Sequence, residues 1–232
     1  MNKVFGCLFV ICLFAFVCTG QTKPKPKPTP EKTDAAKAPI AKNALDRGTV
    51  TGRTYRNESL RFEITFPDTW LIPGDDFEAE MKKQGFDLSL KAPANVGLQA
   101  RAKLNQALKK VTILVTAYRS MPGSAENAIM RVSIEDVTPV PQIKDAVDYF
   151  DAMRIQFKAM TLPPDFTYSE TQAEQLGRKQ FAYLDTSSKS GKKRLYATVR
   201  DGFAILFTLS YNTDGDLQTM RQILLQGNFA FR

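Results

Sequence analysis

Four prolines at alternate positions, Pro24, Pro26, Pro28 and Pro30, interleave with Lys23, Lys25 and Lys27 and divide this chain before any other feature is considered. Each proline fixes its own φ and removes a backbone donor, and the lysines repel one another, so residues 22–30 can enter neither a helix nor the interior of a sheet. The tract is expected to be a semi-rigid spacer, and the foldable chain is expected to begin near Asp46. Upstream of it, Met1-Asn2-Lys3 precedes an uncharged apolar run from Val4 to Val17. A spanning helix needs roughly twenty apolar residues and a signal-peptide core about 7 to 15, so this run is expected to be a cleaved export signal. Residues 1–20 are therefore assigned to the signal, 21–45 to the tether and 46–232 to one folded domain.

Two processing routes fit the junction. Cys18-Thr19-Gly20 places small residues before Gln21, which suits ordinary cleavage, while Cys18 is also a lipidation candidate. Phe16 and Val17 are bulky where a lipidation motif has small residues, which favours the first route. The product is expected to be periplasmic or secreted, with a membrane-anchored lipoprotein as the alternative.

Charge placement limits the partners. The formal net charge is +8, but residues 1–45 hold seven lysines against Glu31 and Asp34, a net +5, which leaves +3 on the remaining 187 residues. Duplex binding takes a clustered basic face with about six or more phosphate contacts. Lys192-Lys193-Arg194 is the one local run, so a nucleic-acid partner is excluded. Membrane association is expected only through a lipid anchor or the basic tether. The partner is expected to be a protein or another envelope component.

All three cysteines, Cys7, Cys12 and Cys18, precede the tether, and the chain has no histidine. Cys–His pairs, Ser-His-Asp triads, the usual structural zinc sets and His-ligated haem each need a group that the domain lacks. No cofactor and no metal are expected, and catalysis would have to use carboxylate, lysine, tyrosine or serine.

The domain itself alternates between strand and helix patterns. Phe62, Ile64 and Phe66 alternate with Arg61, Glu63 and Thr65, which predicts a half-buried strand before Pro67 and Trp70. Helices are predicted over 75–83 and 95–110, the second with Leu104, Ala107, Leu108 and Val111 on one stripe. The near-continuous apolar run 111–118 predicts an interior strand covered on both faces. Met130, Val132 and Ile134 alternate with Arg131, Ser133 and Glu135 in another half-buried strand.

Ile143, Ala146, Val147, Phe150, Met153 and Phe157 form the inward side of a helix over 143–160 that Pro163-Pro164 ends. Strands over 167–174, 179–186, 194–200 and 203–211 then form a meander, in which Asp201-Gly202 has the composition of a type I′ turn. A helix over 214–226 turns Leu217, Met220, Ile223 and Leu224 inward, with Gly227 as its C-cap. The fold class is α+β: an antiparallel sheet flanked by helices in an α/β/α layered sandwich.

Tyr55-Arg56-Asn57, the run from Leu60 through Pro67 to Trp70, the helix over 143–160 and the ending Val199-Arg200-Asp201-Gly202 with its strand and terminal helix resemble the PsbP-like superfamily. That superfamily includes the extrinsic photosystem subunit, the Mog-type Ran-binding factor and many exported bacterial proteins. The resemblance covers roughly residues 54–232 and implies the layered fold. It does not carry over photosystem activity, because the leader differs and there is no histidine for the metal sites of those members, and Ran binding does not suit an exported chain.

Candidate sites are few. Asn212-Thr213-Asp214-Gly215-Asp216 has the composition of a calcium loop, but Arg221 stands where a closing glutamate is required, so a helix cap explains it. Asp145, Asp148 and Asp151 form a stripe on the polar side of their helix, read as a solvated face, with an acidic docking stripe or a weak cation site as alternatives. Glu135 and Asp136 point to opposite faces and cannot pair as acid and base. Ser190-Gly191-Lys192-Lys193 has Ser-x-x-Lys spacing but lies between strands, where Gly191 reads as a turn and the lysines as solubilising edge residues. Trp70 is read as a core anchor, or as the contact residue of a groove. The expected function is a non-catalytic exported binding or accessory domain. One alternative is a carboxylate or tyrosine enzyme needing a cluster such as Glu63, Tyr183 and Asp185; another is an adhesion module acting through the tether.

Overall fold

The structure is a computed structural model that describes residues 46–74, 76–90, 97–124, 127–189 and 191–229. The segments read above as signal and tether, including Cys18, lie outside the described residues, as does Ser190.

Among the described residues, ten strands and four helices follow one another. Strands β1 (Thr49–Thr51), β2 (Thr54–Asn57) and β3 (Phe62–Thr65) form a small antiparallel sheet in sequence order. Helices α1 (Phe77–Lys83) and α2 (Leu98–Leu108) come next. Strands β4 (Val111–Tyr118) and β5 (Ile129–Asp136) open the large sheet, and α3 (Ala146–Ala159) follows. Strands β6 (Thr167–Tyr168), β7 (Gln172–Leu176), β8 (Lys179–Ser188), β9 (Gly191–Arg200) and β10 (Phe203–Tyr211) complete that sheet before α4 (Asp214–Gln226). Its order is β4-β5-β10-β9-β8-β6, with β7 also paired to β8, and every pairing is antiparallel. The fold is α+β, as expected.

Period-2 alternation gives the large sheet two packed faces. One buries Met130, Val132, Ile134, Phe181, Ile205 and Phe207 against the small sheet and the Leu217, Met220, Ile223 and Leu224 side of α4. The other buries Leu184, Leu195, Ala204 and Leu206 against Phe150, Met153 and Phe157 of α3. One outer layer is therefore mixed, part sheet and part helix. A bridge between Glu63 and Asn228 ties β3 to the segment after α4, through backbone hydrogen bonds of 2.8 and 2.9 Å.

Several expectations meet their local causes here. Asp201 and Gly202 have φ of 50° and 80°, as a type I′ turn requires, and Phe203↔Arg200 closes the hairpin. Strand β4 is not interior: it forms one edge of the large sheet and is only half-buried along most of its length. Its register shifts between Ile113 and Val115, an irregularity of the kind that blunts an exposed edge.

Strand β5 is buried on both faces up to Glu135; on the side that carries Arg131, Ser133 and Glu135, Arg131 bonds to Thr116 of β4 and the Tyr149 hydroxyl of α3 reaches Glu135. On α3, Val147 is exposed and Tyr149 is buried instead, so the inward stripe extends to the other side of Phe150 from the expected one. Gly227 ends α4 with φ −63°, so it is not a left-handed cap. A Cβ there would lie 2.8 Å from Phe229 and 3.1 Å from Ile64, and close packing is what requires glycine.

Candidate functional site

A polar cluster lies on the α4-facing side of the large sheet, at its β7–β8–β9 corner. The Ser188↔Gly191 turn sets a register in which Asp185 stands directly opposite Arg194, and Tyr183 opposite Tyr196. Directly opposed side chains share a face, so all four converge. Arg194 donates from Nε and Nη2 to the two carboxylate oxygens of Asp185, each at 2.7 Å. Its guanidinium lies 4.3 Å from the Tyr183 ring centroid, within cation–π range.

Strand β7 and helix α4 complete the cluster. Glu174 accepts hydrogen bonds from the Tyr196 hydroxyl and from Arg221 of α4, and its carboxylate lies 3.7 Å from Arg194. Tyr183 donates to Gln172. Burial, then the hydrogen bond to Glu174, pushes the Tyr196 hydroxyl up to about 12. Burial opposes the Arg194 charge, but hydrogen bonds to Asp185 and Tyr196 outweigh it and raise the guanidinium above its ordinary value. Burial and the nearby Asp185 charge also raise Tyr211. Two carboxylates thus face two guanidinium groups, and Tyr196 and Tyr211, both raised, stay protonated across the physiological range. The corner is part-buried: the side chains of Glu174 and Arg194 are 16% exposed and that of Asp185 is 33% exposed.

A second locus lies on the opposite face. Glu135 of β5 is 1% exposed and accepts a hydrogen bond from the Tyr149 hydroxyl of α3 at 3.3 Å. Burial raises its carboxyl to about 8; Tyr149 and Lys110 oppose that rise and Asp136 adds to it. The group is a neutral acid at pH 7, enclosed between sheet and helix.

Trp70 is buried in the core at 2% exposure, and its carbonyl accepts a hydrogen bond from Arg53. The indole lies beneath the surface, not on it. Asp145 caps α3 by accepting from the backbone N–H groups of Val147 and Asp148, and Asp148 accepts from the N–H of Lys144. Asp151 accepts from the Thr171 hydroxyl and pairs with Arg154.

At the head of α4, Thr213 and Asp216 form a reciprocal capping box, and Asp216 pairs with Arg119 at 2.6 Å. Those residues thus have a helix-start role. Lys192 is exposed but Lys193 is buried, and β9 lies between β8 and β10, so these lysines are not edge residues. Of the trio Glu63, Tyr183 and Asp185, the last two meet around Arg194, while Glu63 sits in the small sheet and pairs with Arg56 at 3.3 Å. Sequence reasoning missed Glu174, Arg194, Tyr196 and Arg221, because their convergence depends on strand register and on where α4 lands.

No family model matches the chain, and no curated protein matches it. In fold it is similar to the solution structure of cyanobacterial PsbP (CyanoP) from Synechocystis sp. PCC 6803, at 12% identity, covering 83% of this chain and 100% of that one, with a TM-score of 0.42. A crystal structure from Bacteroides thetaiotaomicron is similar at 11% identity, covering 79% of this chain and 50% of that one, with a TM-score of 0.37. Among the described residues no helix is long and apolar enough to cross a membrane.

Proposed function

We propose that this protein is a non-catalytic exported domain that binds another envelope macromolecule, using the β7–β8–β9 corner as its contact face. The reading rests on how the corner's carboxylates are used. Asp185 is held bidentately by Arg194, and Glu174 is held by Arg221 and Tyr196. A general base needs a free lone pair aimed at substrate, and a tyrosine nucleophile needs a lowered hydroxyl pKa. Here the carboxylates are engaged and Tyr196 is shifted upward. A rigid, charge-balanced, part-exposed patch with aromatic and guanidinium groups has the composition that protein interfaces favour.

The test is in-cell crosslinking of the full chain through a photoreactive residue at Gln172, beside the corner. A discrete adduct in the envelope fraction that disappears in an Asp185→Asn, Arg194→Gln variant with unchanged circular dichroism supports the reading. An adduct insensitive to that pair, or turnover on a broad hydrolase panel, overturns it.

A further inference from the structure

Antiparallel pairing turns the backbone groups of successive residues to opposite sides of a strand, so the closing pair of a hairpin decides which groups of an edge strand face outward. The two-residue turn Gly177-Arg178, with Gly177 at φ 60°, joins β7 to β8 and makes Leu176↔Lys179 the closing, hydrogen-bonded pair. Stepping back two residues at a time, the N–H and C=O groups of Glu174 and Gln172 face inward, to Phe181 and Tyr183. Those of Ala173 and Gln175 therefore point away from the sheet. Both residues are exposed, and β7 pairs with β8 alone. Among the described residues nothing bonds to these outward groups.

Other stretches of the sheet's margin are obstructed. At the opposite edge, β4 has an irregular register, and its last residue, Tyr118, exchanges backbone bonds of 2.7 and 2.9 Å with Leu71. On the β7 side, the registers of β6 and β7 against β8 differ by one residue, so the segment between them bulges. That bulge is tied to β8 and α3: Ser169 donates its N–H to the Asp185 carbonyl at 2.9 Å, Thr171 donates its hydroxyl to Asp151 at 2.9 Å, and Glu170 pairs with Arg154. Strand β7, in contrast, carries neither the proline nor the lysine that keeps an edge from pairing. Its one charge, Glu174, is turned to the sheet face and held by Arg221 and Tyr196.

A row of alternating donors and acceptors is matched by another extended backbone. A second copy of this chain is a poor occupant. The register that uses every outward group of both copies pairs Ala173 with Gln175 about a two-fold axis at Glu174, and it sets two Glu174 carboxylates directly opposite each other. The turn at the end of β7 favours a different strand. Arg178 is exposed, and among the described residues no acid pairs with it. Helix α4 stands against the same turn: a Cβ on Gly177 would lie 2.9 Å from the Leu225 carbonyl, and Leu225 is 42% exposed. We propose that β7 takes an extended segment of another protein as an added antiparallel strand, with an acidic residue of that segment on Arg178 and an apolar one against Leu225. The proposal rests on the contact-face reading and supplies its binding mode.

The test is binding of the full chain to an array of overlapping short peptides from envelope proteins, followed by amide hydrogen exchange with the peptide that binds best. Captured peptides are expected to carry an acidic residue near the N-terminal end and to slow exchange of the Ala173 and Gln175 amides. Ala173→Pro should bind about tenfold or more weakly, since proline deletes a donor that β8 does not use and leaves the peptide's acceptor unmet. Gln175→Pro should act likewise, whereas Ala173→Thr keeps the N–H and should bind as the wild type does. Arg178→Gln should cost up to about fivefold, as loss of an exposed ion pair does. Unchanged circular dichroism verifies that the prolines leave the sheet intact. No captured peptide, or equal binding by the wild type and both proline variants, overturns the proposal. So does a concentration-dependent dimer that either proline variant dissolves, which would assign the edge to a second copy. The two readings fail separately. A Gln172 adduct that needs Asp185 and Arg194 but survives both proline variants keeps the contact face and rejects the added strand, while an adduct insensitive to Asp185 and Arg194 rejects the contact face.

Discussion

The Tyr149 hydroxyl donates a hydrogen bond to the Glu135 carboxyl at 3.3 Å, joining α3 to β5 inside the layer that α3 covers. Burial is the main cause of the rise in that carboxyl to about 8. In the unfolded chain it returns to the ordinary range, about 4.3. The folded state therefore holds a proton that the unfolded state has released between those two values, and stability falls as pH rises through that window.

Replacing Glu135 with Gln keeps shape and hydrogen bonding while removing the titration. Urea unfolding at pH 5 and pH 8.5 should show the wild type losing stability across that interval and Glu135→Gln losing less. The gap at the higher pH is expected to be on the order of 2–4 kcal/mol, since each tenfold difference in proton affinity between the folded and unfolded chain is worth about 1.4 kcal/mol. Parallel pH profiles for both proteins would refute the assignment.

Arg194 and Arg221 both reach Glu174, yet they should differ in weight. Arg194 is the more buried of the two, holds Asp185 bidentately and lies on the Tyr183 ring. Arg194→Met strands the Asp185 carboxylate, which Arg194 holds bidentately, in a part-buried setting and is expected to cost about 2–3 kcal/mol. Arg221→Met leaves Tyr196 on Glu174 and should cost about 1 kcal/mol or less. Chemical denaturation with an unchanged slope measures both, and equal losses would contradict this hierarchy.

How much of this fold is legible in the sequence depends on the range of the information involved. Asp201-Gly202, the apolar stripe of α4 and the run that forms β4 are local patterns, and each appears where its residues place it. Whether β4 is interior or edge is not local: its composition suits both, and the outcome depends on which strands pair. Tyr149 turns inward in place of Val147 because the acid it bonds to, Glu135, lies on a strand fourteen residues away. The Glu174–Arg194 cluster is hidden for the same reason: its members come from three strands and one helix, and no spacing in the chain encodes that meeting. The carbonyls of Leu60, Arg61 and Phe229 that accept from Arg200 are equally silent, since they lie about 140 and 29 residues distant.

Gly227 tests whether close packing, not backbone freedom, selects glycine after α4. Its φ of −63° and ψ of 146° are open to alanine, which would normally stabilise by restricting the unfolded chain. A Cβ would instead lie 2.8 Å from the Phe229 ring and 3.1 Å from Ile64, both buried. Gly227→Ala is therefore expected to destabilise by about 1–2 kcal/mol in thermal or urea unfolding. A second change, Phe229→Leu, removes the ring from the clash and should recover part of that loss in the double variant. A stabilised single variant would show that the segment after α4 is free to shift.

Asp216 serves two structures at once. Its carboxylate accepts from the N–H of Thr213 in the capping box, and from Arg119, which follows β4. Asp216 is 3% exposed whereas Arg119 is 35% exposed, so the costs of removing each partner are asymmetric. Arg119→Met leaves a buried carboxylate still held by the helix start, and its positive end still favours the charge. Asp216→Ala removes the cap and the anion together, and the Arg119 side chain can swing to water. Thr213→Ala removes one cap bond and should cost about 1 kcal/mol. If the ion pair matters more than the cap, Arg119→Met is the more damaging change, at about 2–3 kcal/mol, and the loss should be absent in an Asp216→Asn background. A double-mutant cycle over Arg119 and Asp216 that returns no coupling would assign the whole effect of Asp216 to the start of α4.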